Sequence, residues 1–245
     1  MNAVSVTKDF DGQEVRILDA VTLSLLGGQI VSLIGPSGCG KSTLLNVIAK
    51  LDEPTSGKAK VADGVRLGYM MQESLLLSWR TLSGNAHLGL ELGSTSGARG
   101  SASVNALFER FGLAGFENLP PASASGGMKQ RTALIRTLVT DPDCVLLDEP
   151  FSNLDFDVKL TVQRALLELV RDRSIAILLV THDLDDAVAL SDNIILLTQR
   201  PATVKKTFST NWCQDERDPV TARASRKFSE YFAQISEAIG RKDAE

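Results

Sequence analysis

The run Gly35-Pro-Ser-Gly-Cys-Gly-Lys41-Ser42-Thr43 constrains this chain more than any other feature. It fits the pattern G-x-x-x-x-G-K-[ST], and its flanks suit that pattern. Before it, Ile30–Ile34 is an apolar run with the length of a buried strand. After it, Thr43–Lys50 has the spacing of a helix. A strand, a glycine-rich turn and a helix in that order can wrap successive backbone N–H groups around one anion. The start of the helix adds a partial positive charge. Lys41 can reach the β- and γ-phosphates of a nucleotide, and the Ser42 hydroxyl can ligate Mg²⁺. Gly35, Ser37, Gly38, Cys39, Gly40, Lys41, Ser42 and Thr43 are therefore the expected phosphate site. The expected ligand is a nucleoside triphosphate with Mg²⁺.

Bulk properties narrow the class. The chain has 245 residues, a 43% apolar share and a formal net charge of −4. That is enough apolar sequence for a sizeable core. It offers no broad basic field, so nucleic acid is not an expected partner. Cys39, Cys144 and Cys213 are far apart and odd in number. They form no disulfide or metal-ligand pattern, which fits a reducing compartment. The N-terminal residues lack a signal-peptide core, and the longest apolar runs are strand-sized, so no membrane span is expected.

Four apolar runs are expected as buried parallel strands: Ile30–Ile34, Cys144–Leu147, Ser174–Val180 and Asn193–Leu197. Helical patterns separate most of them. One is Asp157–Arg171, with Val158, Val162, Leu166, Leu169 and Val170 on one face. Alternation of this kind predicts an α/β core with a mostly parallel sheet. The first 30 residues, with turn signals at Asp11-Gly12 and Gly27-Gly28, predict an antiparallel β segment. Residues 83–131 lack strand runs and are expected as a helical insert between core segments 1–82 and 132–245. Within the insert, Gly93–Ser101 is a Gly/Ser-rich loop and Val104–Phe111 a short amphipathic helix. Phe228, Tyr231, Phe232, Ile235 and Ile239 form a helical stripe, expected to dock on the chain's own core.

The strand Cys144–Leu147 runs into Asp148-Glu149-Pro150. Adjacent strand residues point to opposite sides. Asp148 can thus hold Mg²⁺ while Glu149, aimed elsewhere, polarises an attacking water. Thr181-His182-Asp183 follows another expected strand, and open α/β sheets bind ligands at the carboxyl ends of their strands. His182 can donate there to the γ-phosphate or to the attacking water. The other histidine, His87, is expected to be structural or at the surface.

Taken in order, these motifs resemble the ATP-binding subunit of ABC transporters over essentially the whole chain. Ser125-Gly126-Gly127-Met128-Lys129-Gln130-Arg131 is similar to the family signature, Gln72 to the Q-loop glutamine, and Phe151-Ser-Asn-Leu-Asp155 to the D-loop. His182 is similar to the switch histidine. The resemblance implies a P-loop NTPase fold and ATP hydrolysis. It puts Gln72 beside Glu149 and His182 in the catalytic set and, with Ser42 and Asp148, among the metal ligands. It implies that Ser125, Gly126, Gly127 and Asp155 contact nucleotide across a head-to-tail pair of subunits. Ser125 also suits an N-cap for a helix over Gly127–Val139. Phe10 lies near where the family stacks an aromatic on adenine; it either does so or packs on its own hairpin.

Three positions depart from the family pattern. Ala124 precedes Ser-Gly-Gly where Leu is usual, Gln29 replaces a common Glu, and Asn153 replaces a common Ala. None removes a phosphate, metal or water-handling group. Gln72–Thr81 and Met128 are similar to the branch that imports nitrate, sulfonates, taurine and related solutes. The implied partners are a second copy or a paralogous ATPase, transmembrane permease subunits and a solute-binding protein. The implied location is the cytoplasmic face of the cell membrane. Trp79 either meets the permease or packs inside the insert. The segment after His182 is short for an added regulatory domain. The alternative functions are the motor of an exporter or lipid-trafficking complex, or a soluble ABC ATPase.

Overall fold

The computed structural model describes residues 1–9, 16–92, 104–212 and 217–240. Two sheets organise them. The smaller is antiparallel, in the order β2 (Arg16–Ser24), β1 (Asn2–Asp9), β4 (Ser56–Lys60). The larger has six strands: β5 (Leu67–Met70), β6 (Cys144–Asp148), β7 (Ala176–Val180), β3 (Ile30–Ile34), β8 (Asn193–Leu197) and β9 (Val204–Ser209), in that spatial order. β5 to β8 run parallel, and β9 closes the edge antiparallel to β8. Every residue of β3, β6 and β7 is buried. That is what continuous apolar runs predict for strands covered on both faces.

Period-two alternation divides the core. Val145 and Leu147 face one side of the large sheet. There they pack with α2 (Leu82–Leu92), α3 (Val104–Arg110), α4 (Gly126–Leu138) and α5 (Phe156–Arg173). Cys144 and Leu146 face the other side, against α1 (Lys41–Ile48) and the small sheet. A third cluster joins α6 (Leu184–Leu190), α7 (Pro219–Ala224) and α8 (Arg226–Gly240) to β8 and β9. In α8, Phe228 and Ile235 are buried, and Tyr231 and Phe232 pack beside them. The stripe docks on the chain's own core, with Ile239 alone left exposed. Trp212 donates its indole N–H to Val188 O at 2.9 Å and meets Tyr231 edge-on.

Some expected boundaries move. α1 begins at Lys41, two residues earlier than its apolar spacing suggests, because Gly40 takes φ 118° and starts the helix directly. A Cβ at Gly40 would lie 2.7 Å from Ile17 Cγ2, so only glycine lets β2 close over the loop. β7 begins at Ala176 because Ser174 ends α5 in the left-handed region, φ 53°. The expected helix over Gly127–Val139 runs from Gly126 to Leu138. The stretch 83–131 holds most of α2, all of α3 and the start of α4. Asp11-Gly12 and the Gly93–Ser101 run fall outside the described residues.

Candidate functional site

β3 lies between β7 and β8, although α1 follows it in the chain. Strand order therefore reverses at its carboxyl end, which makes a crevice there. Gly35–Gly40 fills that crevice. Ser37, Gly38 and Ser42 are exposed, Cys39, Gly40 and Lys41 are buried, and Gly35 and Thr43 are half-buried. The N-cap of α1 is a glycine with no side-chain acceptor, so the first-turn N–H groups face outward for an anion. The Lys41 ammonium is held across the loop by the carbonyls of Gly35 and Pro36, at 2.8 and 2.9 Å.

The acidic pair stands at the carboxyl end of β6. Asp148 closes β6 and is 3% exposed. Burial raises its pKa, while a hydrogen bond from Ser42 and the charge of Lys41 oppose that rise. Ser42 and Asp148, expected from sequence as metal ligands, thus stand close enough for the hydroxyl to hold that carboxylate's pKa down. Glu149 then turns into the left-handed region, φ 51°, and gives its N–H to Val180 O at 2.9 Å. A non-glycine residue rarely sits there. The turn carries the Glu149 carboxylate to His182, whose Nδ1 lies 3.0 Å from Oε2. The two side chains form an ion pair when the imidazole is protonated.

Ser125 caps α4 as expected, its Oγ accepting from Met128 N at 3.2 Å. Ser125 and Gly126 are exposed. Gly127 packs against the D-loop backbone: a Cβ there would sit 2.8 Å from Asn153 O. Gln72 is exposed and lines a groove of about 920 Å³ with Gly126, Gln130, Glu149 and Asn153. Asp155 begins α5, and its carboxylate makes no capping bond. Among the described residues, no hydrogen bond or ion pair joins Gly35–Thr43 to Ser125–Gly127. Phe10 lies outside the described residues.

Several residues have supporting roles that motif reading alone does not assign, two of them inside the signature run and two outside any motif. Gln130 is 3% exposed and donates to Glu149 O at 2.6 Å and Ser152 Oγ at 3.1 Å, while accepting from Asn153 N at 3.1 Å. It ties the signature helix to the loop after the acidic pair. Arg131 donates to Phe111 O and Gly112 O. Arg136 donates to Ser74 O and Leu75 O at 2.8 and 2.9 Å. Burial lowers the pKa of both arginines. Asn85, fully buried, bonds the backbone of Leu77 and Thr81. The signal available in sequence was a polar residue on an otherwise apolar helix face. Between these anchors Trp79 stands 78% exposed, so it does not pack inside the helical region. His87 is exposed and bonded only to Ser83.

Comparison with known proteins agrees with this geometry. Residues 18–152 match the family model described as ABC transporter. The chain is 37% identical over 233 residues to an uncharacterized ABC transporter ATP-binding protein of Methanocaldococcus jannaschii, covering 93% of this chain and 85% of the relative. It is 40% identical to an aliphatic sulfonates import ATP-binding protein of Pseudomonas syringae pv. tomato, covering 88% and 90%. It is 34% identical to a taurine import ATP-binding protein of Yersinia pestis bv. Antiqua, covering 98% and 96%. The dimeric structure of a bacterial ABC transporter cassette superposes with a TM-score of 0.77 at 28% identity, covering 86% of this chain and 99% of that one. A dimeric post-hydrolysis state bound to ADP and Pi superposes with a TM-score of 0.75. The expected α/β cassette fold is thus the observed one, and the chain belongs to the ATP-binding ATPase subunits of the ABC transporter family.

Proposed function

We propose that this subunit is the motor of an importer for a small solute of the sulfonate, taurine or nitrate class. The relatives named for sulfonate and taurine import support that substrate class. The whole chain is taken as one cassette, with 83–131 as its helical insert. Two copies, or one copy and a paralogous ATPase, would pair head to tail beneath transmembrane permease subunits at the cytoplasmic face of the membrane, served by a solute-binding protein. No helix among the described residues is long and apolar enough to cross a membrane. The groove beside exposed Leu75 and Trp79 suits a permease segment.

The single observation that carries the catalytic reading is the 3.0 Å contact of His182 with Glu149, one residue beyond the buried Asp148. Backbone N–H groups of Ser37–Thr43 and the Lys41 ammonium would bind the phosphates of ATP. Phe10 would stack on the adenine. Glu149 would take the proton of the attacking water, with His182 holding its carboxylate. Ser125, Gly126, Gly127 and Asp155 would face the phosphates held by the other subunit. The donor set fits Mg²⁺: the Ser42 hydroxyl, the Asp148 carboxylate that it influences and the Gln72 amide all offer hard oxygen ligands. Among the described residues no cluster of three acidic, histidine or cysteine side chains exists to hold a metal alone. Ser42, Asp148 and Gln72 would therefore share the ion with the nucleotide's own oxygens, where it neutralises phosphate charge.

Glu149→Gln tests this reading. The variant should retain ATP, accumulate a closed dimer and hydrolyse at least about a hundredfold more slowly. Turnover at the parent rate, measured by phosphate release, would remove Glu149 from the role of base.

A further inference from the structure

A buried charge cluster lies behind the switch histidine. Its centre is Asp186 on α6, only 1% exposed. Asp186 Oδ1 accepts from Gln163 Nε2 at 2.8 Å and from an Arg223 guanidinium nitrogen at 2.9 Å, and Oδ2 accepts from Lys159 Nζ at 3.0 Å. Lys159 also bonds Asp183 Oδ2 at 2.8 Å. Arg223 further donates to Gln163 Oε1 at 3.2 Å, which fixes which way that amide points. Two carboxylates thus meet two cations.

The cluster is notable for what it joins. Asp183 directly follows His182 and caps α6 through Asp185 N. Lys159 lies on α5, one turn after Asp155, whose carbonyl accepts the Lys159 N–H at 2.8 Å. Arg223 comes from α7, outside the residues that match the family model. The switch loop and the D-loop therefore leave opposite sides of one ionic knot, and α7 supplies one of its two cations. No hydrogen bond of the knot reaches the phosphate loop.

We propose that Arg223 is a positioning residue for ATP hydrolysis. It neutralises Asp186 and fixes the register between the loop carrying His182 and the helix carrying Asp155. A planar fork is suited to that task, because one side chain bridges Asp186 and Gln163 in a single orientation. Removing it leaves the buried Asp186 carboxylate sharing Lys159 with Asp183, and that under-compensated charge relaxes by moving α6 against α5. That movement displaces the catalytic loops and leaves the phosphate loop in place. The proposal rests on the assignment of His182 and Asp155 to the nucleotide site.

The test is steady-state ATP hydrolysis by the full chain carrying Arg223→Ala, Arg223→Lys or His182→Ala, with a thermal melt of each. Arg223→Ala should lower kcat on the order of tenfold and leave KM for ATP unchanged. Arg223→Lys, which keeps the charge but not the fork, should recover part of the loss. Parent kcat in Arg223→Ala overturns the proposal; so does a parallel change of kcat and KM that lysine does not rescue, since that marks a purely structural role. Should Arg223→Ala fail to fold, Gln163→Leu removes the bridging amide alone and carries the same prediction, with a smaller fall in kcat. Parent turnover in His182→Ala would instead sink the site assignment itself, which separates the two failures.

Discussion

The two helix starts proposed to face phosphates are built differently. The phosphate loop is made of backbone, wedged between buried strands, with Lys41 tied to two carbonyls of its own loop. The signature side presents exposed Ser125, Gly126 and Gln72, and it is held from behind by polar side chains: buried Gln130, Arg131 and Asn85, and half-buried Arg136. The first region is enclosed by backbone and apolar side chains, including those of Ile17 and Leu18 on β2. The second is an outward-facing surface whose shape depends on long side chains gripping main-chain carbonyls. This difference suits a motor that grips nucleotide rigidly on one face and meets other chains on the other.

The comparison can be broken most decisively at Lys41. Lys41→Ala removes the only side-chain cation of the loop and should cut hydrolysis on the order of a thousandfold, measured as phosphate release. Normal turnover would end the assignment of the rigid region. Arg136→Leu attacks the other region. It strands the carbonyls of Ser74 and Leu75 and should cost about 2 kcal/mol in a urea melt. ATP affinity should stay unchanged while recovery of permease from detergent extracts falls. A loss of ATP affinity in that variant would mean that the two regions are not separable.

A smaller effect comes from pH. Burial holds the Asp148 pKa above that of an unfolded aspartate. Between those two values the folded chain binds a proton that the unfolded chain lacks. The fold therefore gains stability as pH falls through that window and loses it as pH rises. Ligating Mg²⁺ needs the ionised form, so magnesium-dependent ATP binding should weaken as pH falls into the same window. Asp148→Asn should abolish both trends, read by melts and by nucleotide titration with and without chelator. The smallest effect is expected at α7, where Asp218 accepts from Val220 N and Thr221 N and pairs with Arg164. Asp218→Ala should cost about 1 kcal/mol and leave hydrolysis near the parent rate.

Much of the rigid region was legible in the chain. Ile30–Ile34 and Asn193–Leu197 are strands at the residues expected, and Cys144–Leu147 gains only Asp148. Ser125 caps its helix as its residue type predicts. These features are local: apolar period, strand length and cap chemistry are properties of a few consecutive residues. Ser174 shows where locality fails. It looks like the start of a strand, yet it ends α5 in a left-handed turn whose carbonyl accepts Gly28 N at 2.8 Å. That turn is imposed by packing against the β2–β3 connection.

From the sequence alone came the cassette, four of its buried parallel strands and the candidates Lys41, Asp148, Glu149 and His182, because each is marked by a short spacing with its own chemistry; β5 and the antiparallel edge strand β9 did not. Only the tertiary structure decided that Glu149 turns to meet His182, that Gln130 and Arg136 anchor the signature side, that Trp79 faces out, and that Arg223 reaches Asp186. Those contacts join residues dozens of positions apart across parallel strands and facing helices. Their partners are chosen by where the β3 crossover sets the sheet order and by the need to satisfy every buried polar group, and neither is a property of neighbouring residues.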